Sequence, residues 1–387
     1  MLKTKGMKHI WIYIVIFGLM ACSTKKEIKF SGNPTVDLQN ILEDGYNESN
    51  NIVGISLAVK SPDLDIDYVG SVGYDGLDKT NALKAEQPFR IASLTKVFVA
   101  AAIMRLYEKQ LLSLNDPISK FISKEHVELL RSGGYDPDKI TVRQCLNHTS
   151  GLYDYAEGGP EYIEEAAKNP SKRWTRTEQI QFAMDYGKPY ALPGQEEHYS
   201  DTGYILLGEV IEKQSQSGLA EGLRELLKFD ELGMTTTYLE SLEEQPKGLL
   251  PNVKRYLENT DVSTWDNSMD LYGGGGLVSN THDLTIFLQA LFNGKIFDNE
   301  ETLAIMLLEN EYEGTDQELP AQRLGFTSMV GKKSKLVAFL HTGFWSTVFM
   351  HIPAYNTSIA LNNTKDGDSE VLQYTLDYII ELGKEKK

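Results

Sequence analysis

The chain has 387 residues, of which 41% are hydrophobic and 24% charged, an ordinary balance for a folded globular protein. Its formal net charge of −17 at pH 7 excludes a nucleic-acid binder, because a surface that acidic repels a phosphate backbone. No tract of low complexity and no internal repeat interrupts it.

The first twenty-one residues read as an address rather than as part of a fold. Lys3, Lys5 and Lys8 form a basic start, and IWIYIVIFGLM (10–20) is an apolar run shorter than the ~18 residues a spanning helix needs. The run ends in Leu19-Met20-Ala21-Cys22, with polar STKKE directly after. This resembles the lipobox of bacterial lipoproteins, in which the cysteine is acylated after cleavage before it. The resemblance implies a signal peptide over 1–21, a lipid on Cys22 and a tether over 22–35. It also implies an exported lipoprotein at the periplasmic face or the cell surface. The competing reading is an ordinary signal peptide with an incidental cysteine. Without the leader, 35 basic residues face 55 acidic ones, a formal charge of −20, so any membrane link is expected through the lipid alone. Cys145 is then left without a disulfide partner, and its apolar neighbours point to a buried structural thiol. The 366 residues that remain are long for one core and suit two fused lobes.

VDLQNILEDGYNES (36–49) has helical periodicity. IVGISLAVK (52–60) and LDIDYVGSVGY (64–74) are β-rich and parted by Ser61-Pro62-Asp63, a hairpin signal. From Val97 a buried helix is predicted, with Ala100, Ala101, Met104 and Tyr107 at helical spacing. From about 115 to 270 short helical patterns alternate with Gly, Pro and Asn loops, which predicts an inserted, mostly helical lobe. YGGGGLVSN (272–280) reads as a flexible joint or a close-packed bend, and Thr281 as the N-cap of the helix THDLTIFLQALFNG. KLVAFLHTG (335–343), WSTVFMHIP (345–353) and NTSIALNN (356–363) predict an antiparallel meander, and SEVLQYTLDYIIELGK a closing helix. Strands at both ends with helices between them predict one α/β (α+β) lobe, about 36–114 and 271–387, assembled from the two termini around a helical lobe, about 115–270.

Ser93 and Lys96 stand three apart at the start of the apolar helix, so on one face of its first turn. A serine hydroxyl is a weak nucleophile until a base takes its proton. A lysine whose charged form is disfavoured by burial can be that base. The pair alone is unspecific, and Ser93 as a mere helix cap is its bland alternative. Two further segments add to it: Tyr199-Ser200-Asp201 just before a helical pattern, and His341-Thr342-Gly343 at the end of a predicted strand.

Together the three resemble the serine β-lactamase and penicillin-recognising hydrolase superfamily, in its class C β-lactamase, D-Ala-D-Ala carboxypeptidase and esterase branch, with motifs S-x-x-K, Y-x-N and K/H-T-G. LNDPISKFIS, LNHTSGL (146–152) and GGGGLVSNTHDLTIFLQALFNG (273–294) support it, and the likeness runs over roughly 36–380. It implies a β-lactamase/transpeptidase-like fold: an antiparallel sheet flanked by helices, forming one hydrolase domain over 36–387. It implies a serine hydrolase that passes through an acyl-enzyme on a small-molecule or peptide substrate, a D-amino-acid peptide, an ester or a β-lactam, with no metal or organic cofactor. Carried over by position, Ser93 is the nucleophile, and Lys96 and Tyr199 handle its proton. The backbone amides of Ser93 and Phe344 form the oxyanion hole, Phe344 being placed on a sheet edge strand. Asp201, His341, Thr342 and Gly343 line the substrate site. A non-catalytic binding protein on the same fold is the alternative.

Two residues depart from the pattern. Asp201 replaces the usual Asn; it either caps the following helix or contacts Lys96, whose ammonium it would favour. Tyr199, as a phenolate, is then expected to take more of the base's duty. His341 replaces lysine and supplies positive charge only when protonated, which makes ester or peptide hydrolysis a firmer expectation than penicillin hydrolysis. His148 and Thr149 read as structural turn residues, and Trp174, Trp265 and Trp345 as core. There is no G-x-S-x-G and no H-E-x-x-H.

Overall fold

The computed structural model describes residues 31–49, 51–308, 321–331, 334–367 and 369–386. The leader, Cys22 and most of the tether lie outside the described residues. No helix among the described residues is long and apolar enough to cross a membrane.

In chain order the elements are α1 (Pro34–Glu48), β1 (Gly54–Ser61), β2 (Ile66–Gly73), β3 (Phe89–Arg90) and α2 (Thr95–Glu108). Then come α3 (Lys124–Ser132), α4 (Val142–Leu146), α5 (Glu161–Lys168), α6 (Arg176–Tyr186), α7 (Asp201–Ser215), α8 (Leu219–Leu226) and α9 (Phe229–Leu232). After these follow β4 (Tyr238–Leu239), β5 (Tyr256–Leu257), β6 (Thr260–Asp261), β7 (Leu277–Ser279), α10 (Thr281–Phe292) and α11 (Glu300–Met306). The chain closes with β8 (Ala321–Gln322), β9 (Thr327–Val330), β10 (Val337–Gly343), β11 (Thr347–Ile352), β12 (Thr357–Asn363) and α12 (Val371–Glu385).

The main sheet runs β2-β1-β12-β11-β10-β9-β8, and all its pairs are antiparallel. Its middle joins the two ends of the chain, because β1 pairs with β12 in the register Ile55↔Asn363 to Lys60↔Ser358. Side chains alternate faces along a strand, so each strand feeds two cores. Ile55, Leu57 and Val59 meet Leu38 and Leu42 of α1 and Tyr378 and Ile379 of α12 on one face. Phe339 and Phe349 on the other face join Phe98 of α2 and Phe287 of α10. There Phe98 stacks on Phe287 at 3.8 Å.

α2 is the apolar centre of the helical side. Every side chain from Val97 to Met104 is buried, each large one contributing about 1.5–3 kcal/mol of burial free energy. It is preceded by a 3₁₀ turn, Ala92–Leu94, and stops where Gln110 turns left-handed at φ +58°. A second sheet, β3-β7-β4, lies behind the 3₁₀ turn, and Ile91 N–H donates to Leu277 O at 3.0 Å. Its strands have two or three residues each, too few for periodicity to reveal.

Two local expectations need correction. Asn280, not Thr281, caps α10, its side chain accepting from Asp283 N–H at 2.8 Å. Thr281 is the first helical residue. The glycine run at 273–276 is a close-packed bend and not a flexible joint: these glycines are all buried, with Gly273 at φ +126° and Gly276 at φ +106°.

Candidate active site

Ser93 is placed by backbone strain. Ala92 before it holds φ +47°, a left-handed conformation that costs a non-glycine residue about 1–2 kcal/mol. That turn points the hydroxyl out of the core while α2 begins two residues later. α2 has no side-chain cap, so Ser93 is not serving as one. Lys96, in the first turn of α2, is fully buried and commits its donors to three acceptors. Nζ donates to Ser93 Oγ at 2.9 Å, to Gly274 O at 2.7 Å and to the Asp201 carboxylate. An ammonium has three N–H groups, and each has a partner.

Tyr199 enters from the loop ahead of α7 and its phenol donates to Ser93 Oγ at 2.8 Å. The alcohol therefore accepts from the amine and the phenol at once. Ser200 caps α7, its hydroxyl accepting from Gly203 N–H, which leaves Asp201, the first helical residue, to face Lys96. The Lys96–Asp201 ion pair is sealed from water, its side chains 0% and 4% exposed. Burial, then the carboxylates of Asp201 and Glu157, hold the Tyr199 phenol well above its usual pKa near 10. A resting phenolate at Tyr199, expected from the sequence, is opposed by these neighbours.

His341 lies in β10, buried at 8% exposure, with Nδ1–H donating to Thr342 O at 2.7 Å. Burial, reinforced by the Lys96 charge, drives its pKa down to about 3. The imidazole is therefore neutral at physiological pH and supplies no positive charge. β10 is not an edge strand, contrary to expectation: it lies between β9 and β11. β9, however, pairs only with Val337–Leu340, whereas His341, Thr342 and Gly343 pair with β11 alone. The last part of β10 is a local edge, and half-buried Thr342 and Phe344 lie on it and just past it. Gly343 packs directly on Ile91 O, two residues before Ser93, where a Cβ would collide. The Thr347 hydroxyl also donates to Ile91 O at 3.1 Å. These contacts tie the end of β10 to the turn that carries Ser93.

Asp154 and Asp270 carry no signal in the sequence, and His148 is expected there only as a structural turn residue. His148, at φ +58°, accepts from Ser200 N–H through Nδ1 at 3.2 Å and stacks on Tyr199 at 4.5 Å. It orients the phenol through the loop that bears it. Asp154 is buried, and desolvation followed by the Asp201 charge raises its pKa well above the carboxylate range. Asp270 is pushed up to about 7 by burial and then by Asp201. Gly274, besides giving its carbonyl to Lys96, packs against Asp201, where a Cβ would lie 2.6 Å from Oδ1. Cys145 is buried and its thiol is pushed up to about 12, consistent with a structural role. Trp174, Trp265 and Trp345 are buried in the core.

An antiparallel sheet crossed by a helix that opens with serine and lysine, with a tyrosine closing on the serine, defines a serine hydrolase of the penicillin-recognising type. Residues 40–384 match the family model described as Beta-lactamase, and the chain belongs to that family. It is 26% identical over 335 residues to penicillin-binding protein 4* of Bacillus subtilis (strain 168), covering 81% of this chain and 68% of that protein. It is 26% identical over 242 residues to the D-alanyl-D-alanine-carboxypeptidase/endopeptidase AmpH of Escherichia coli (strain K12), covering 62% of this chain and 56% of that one. A solved structure of D-amino acid amidase from Ochrobactrum anthropi SV3 superposes with a TM-score of 0.71 at 24% identity, covering 90% of this chain and 98% of the amidase.

Proposed function

We propose that the enzyme hydrolyses small amides and esters through an acyl-enzyme on Ser93. The observation that carries this is the double hold on one oxygen: Ser93 Oγ lies 2.9 Å from Lys96 Nζ and 2.8 Å from the Tyr199 hydroxyl. Ser93 Oγ attacks the scissile carbonyl. Its proton passes to Lys96 as Lys96 passes one to the Asp201 carboxylate, so the pair acts as one base. The new C–O bond forms while the carbonyl oxygen takes negative charge. The backbone amides of Ser93 and Phe344 stabilise that oxyanion, each such donor being worth about 2.7–4 kcal/mol.

The carbon–leaving-group bond then breaks. Tyr199 gives its proton to the departing nitrogen or oxygen and regains one from the Lys96–Asp201 pair. Water repeats the sequence on the ester and frees Ser93. Net, the bond is split by one water and every proton is returned. Thr342, Gly343 and the local edge of β10 hold the substrate backbone by strand-like hydrogen bonds.

Amides and esters lead the reading because His341 is neutral and offers no charge to a substrate carboxylate. Relatives named as D-amino acid amidase and D-alanyl-D-alanine carboxypeptidase act in the same range. We propose further that Cys22 is acylated and anchors the domain, through its tether, to the outer face of a bacterial membrane. A panel of nitrocefin, a nitrophenyl ester, a D-amino-acid amide and a D-Ala-D-Ala peptide tests the reading. Turnover of the ester or the amide that disappears in Ser93→Ala is expected. Turnover that survives Ser93→Ala would overturn it.

A further inference from the structure

Arg255, just before β5, is a charged side chain that the fold seals almost completely, at 2% exposure. Its guanidinium packs over the Phe89 ring, 5.4 Å from the centroid, and grips two separate parts of the chain. Nη2 donates to Arg90 O at 3.4 Å and to Asn362 Oδ1 at 2.7 Å, and Nη1 donates to Asn363 O at 3.2 Å. The first contact lies three residues before Ser93. The other two lie at the end of β12, where Asn362 pairs with Thr347 and Asn363 N–H donates to Ser346 O at 3.0 Å. Ser346 and Thr347 follow Phe344 by two and three residues. One side chain therefore holds the chain beside both amides of the oxyanion hole. Its own backbone is fixed as well: Val253 N–H donates to Pro88 O at 2.8 Å, and Arg255 N–H to Ser263 Oγ at 2.8 Å.

The charge on Arg255 has no direct answer. All three acceptors of its guanidinium are uncharged oxygens, and Nε has no acceptor among the described residues. Asp366 acts on it without an ion pair, and the Asp366 carboxylate receives the Ser346 hydroxyl. Arg90, the neighbouring cation, is paired with Glu240 at 2.8 Å. Burial, and then the Arg90 charge, draw the Arg255 pKa down to about 9, so the guanidinium stays charged at neutral pH. An ion held out of water without a counter-ion is costly, and that cost falls when a negative charge forms nearby.

We propose that Arg255 is a positioning residue for the oxyanion hole, fixing the amides of Ser93 and Phe344 on one point and biasing that point toward negative charge. This rests on the Ser93 hydrolase reading. A bound substrate gains little from Arg255, because its carbonyl oxygen carries no full charge. The tetrahedral oxyanion carries one, so the gain falls on the transition state.

The experiment compares Arg255→Met and Arg255→Lys with the parent enzyme, using a nitrophenyl ester and phenylboronic acid, which bonds a serine oxygen as a tetrahedral anion. Arg255→Met keeps the stem and removes an unpaired buried charge, an exchange that often costs little stability, and a thermal melt is recorded beside each assay. Arg255→Met is expected to lower kcat about tenfold, to change KM less than about threefold and to weaken boronate binding about tenfold. Arg255→Lys keeps the charge but not the fork, and is expected to recover part of both losses. In the unaltered protein the Arg255 Nε–H resonance should move when the boronate binds, a readout that needs no variant. Four results would each overturn the proposal: an unchanged kcat in Arg255→Met, a KM that rises as far as kcat falls, Arg255→Lys no better than Arg255→Met, or an Nε–H resonance indifferent to the boronate. Failure of the Ser93 reading shows itself separately, as ester turnover retained by Ser93→Ala.

Discussion

Lys96 and Asp201 form an ion pair from which water is excluded, at the point where the pair's ammonium also holds Ser93 Oγ. Breaking a buried pair by removing one partner outright costs about 3–5 kcal/mol. Asp201→Asn keeps the shape and one acceptor but removes the charge and the site that takes Lys96's proton. Folding stability is expected to fall by about 1–3 kcal/mol in urea denaturation. Turnover of a nitrophenyl ester should fall at least about tenfold, with a displaced pH–rate profile. An unchanged profile would remove Asp201 from the proton relay.

Gly274 offers a second handle on the same lysine. A Cβ there would lie 2.6 Å from Asp201 Oδ1, so Gly274→Ala forces either the carboxylate or the carbonyl away from Lys96. Overpacking of this kind costs about 1–3 kcal/mol of stability. The expected signature is a loss of kcat larger than the rise in KM, measured beside a thermal melt. A variant with the original kcat would show that the Gly274 carbonyl does not position the amine.

His341 is expected to stay neutral from about pH 8 down to about pH 5, because burial and the Lys96 charge place its pKa near 3. Nitrogen-15 NMR of labelled histidine checks this: the His341 ring should keep its neutral tautomer, Nδ1 protonated toward Thr342 O, across that range. It follows that acidification to pH 5 recruits no positive charge for a carboxylate substrate at this position. An imidazolium signal from His341 near pH 6 would contradict the assignment and reopen penicillin-type recognition.

The reach of the sequence can be traced to particular residues. Ser93 and Lys96 were readable because three residues of helix put them on one face, a local rule. The long strands β1, β2, β10, β11 and β12 were readable within about two residues, because β-rich runs of six or more residues bounded by turn signals are a strong signal even where, as in β1, β11 and β12, both faces are buried. Tyr199 was readable only through a family pattern, since the contact to Ser93 spans 106 positions. Asp201 could have been a cap or a lysine partner, and the choice fell to Ser200, whose hydroxyl caps α7 in its place. Asp270 and Asp154 gave no signal, and His148 read only as a turn residue, because their effect on the site depends on where folding sets one charge or ring beside another. The glycine run stayed open between a flexible joint and a close-packed bend because sequence does not show the two carboxylates that crowd it. Strands as short as β3, β4 and β7 carry too few residues for any period.

The most direct test is intact-mass and peptide mapping after treatment with a fluorophosphonate. One adduct is expected, on the peptide that contains Ser93. It should form at least about tenfold more slowly in Tyr199→Phe, which loses the phenol that meets Ser93 Oγ at 2.8 Å, and be absent in Ser93→Ala. An adduct that maps to another residue, or one that persists in Ser93→Ala, would contradict the assignment of Ser93 as the nucleophile.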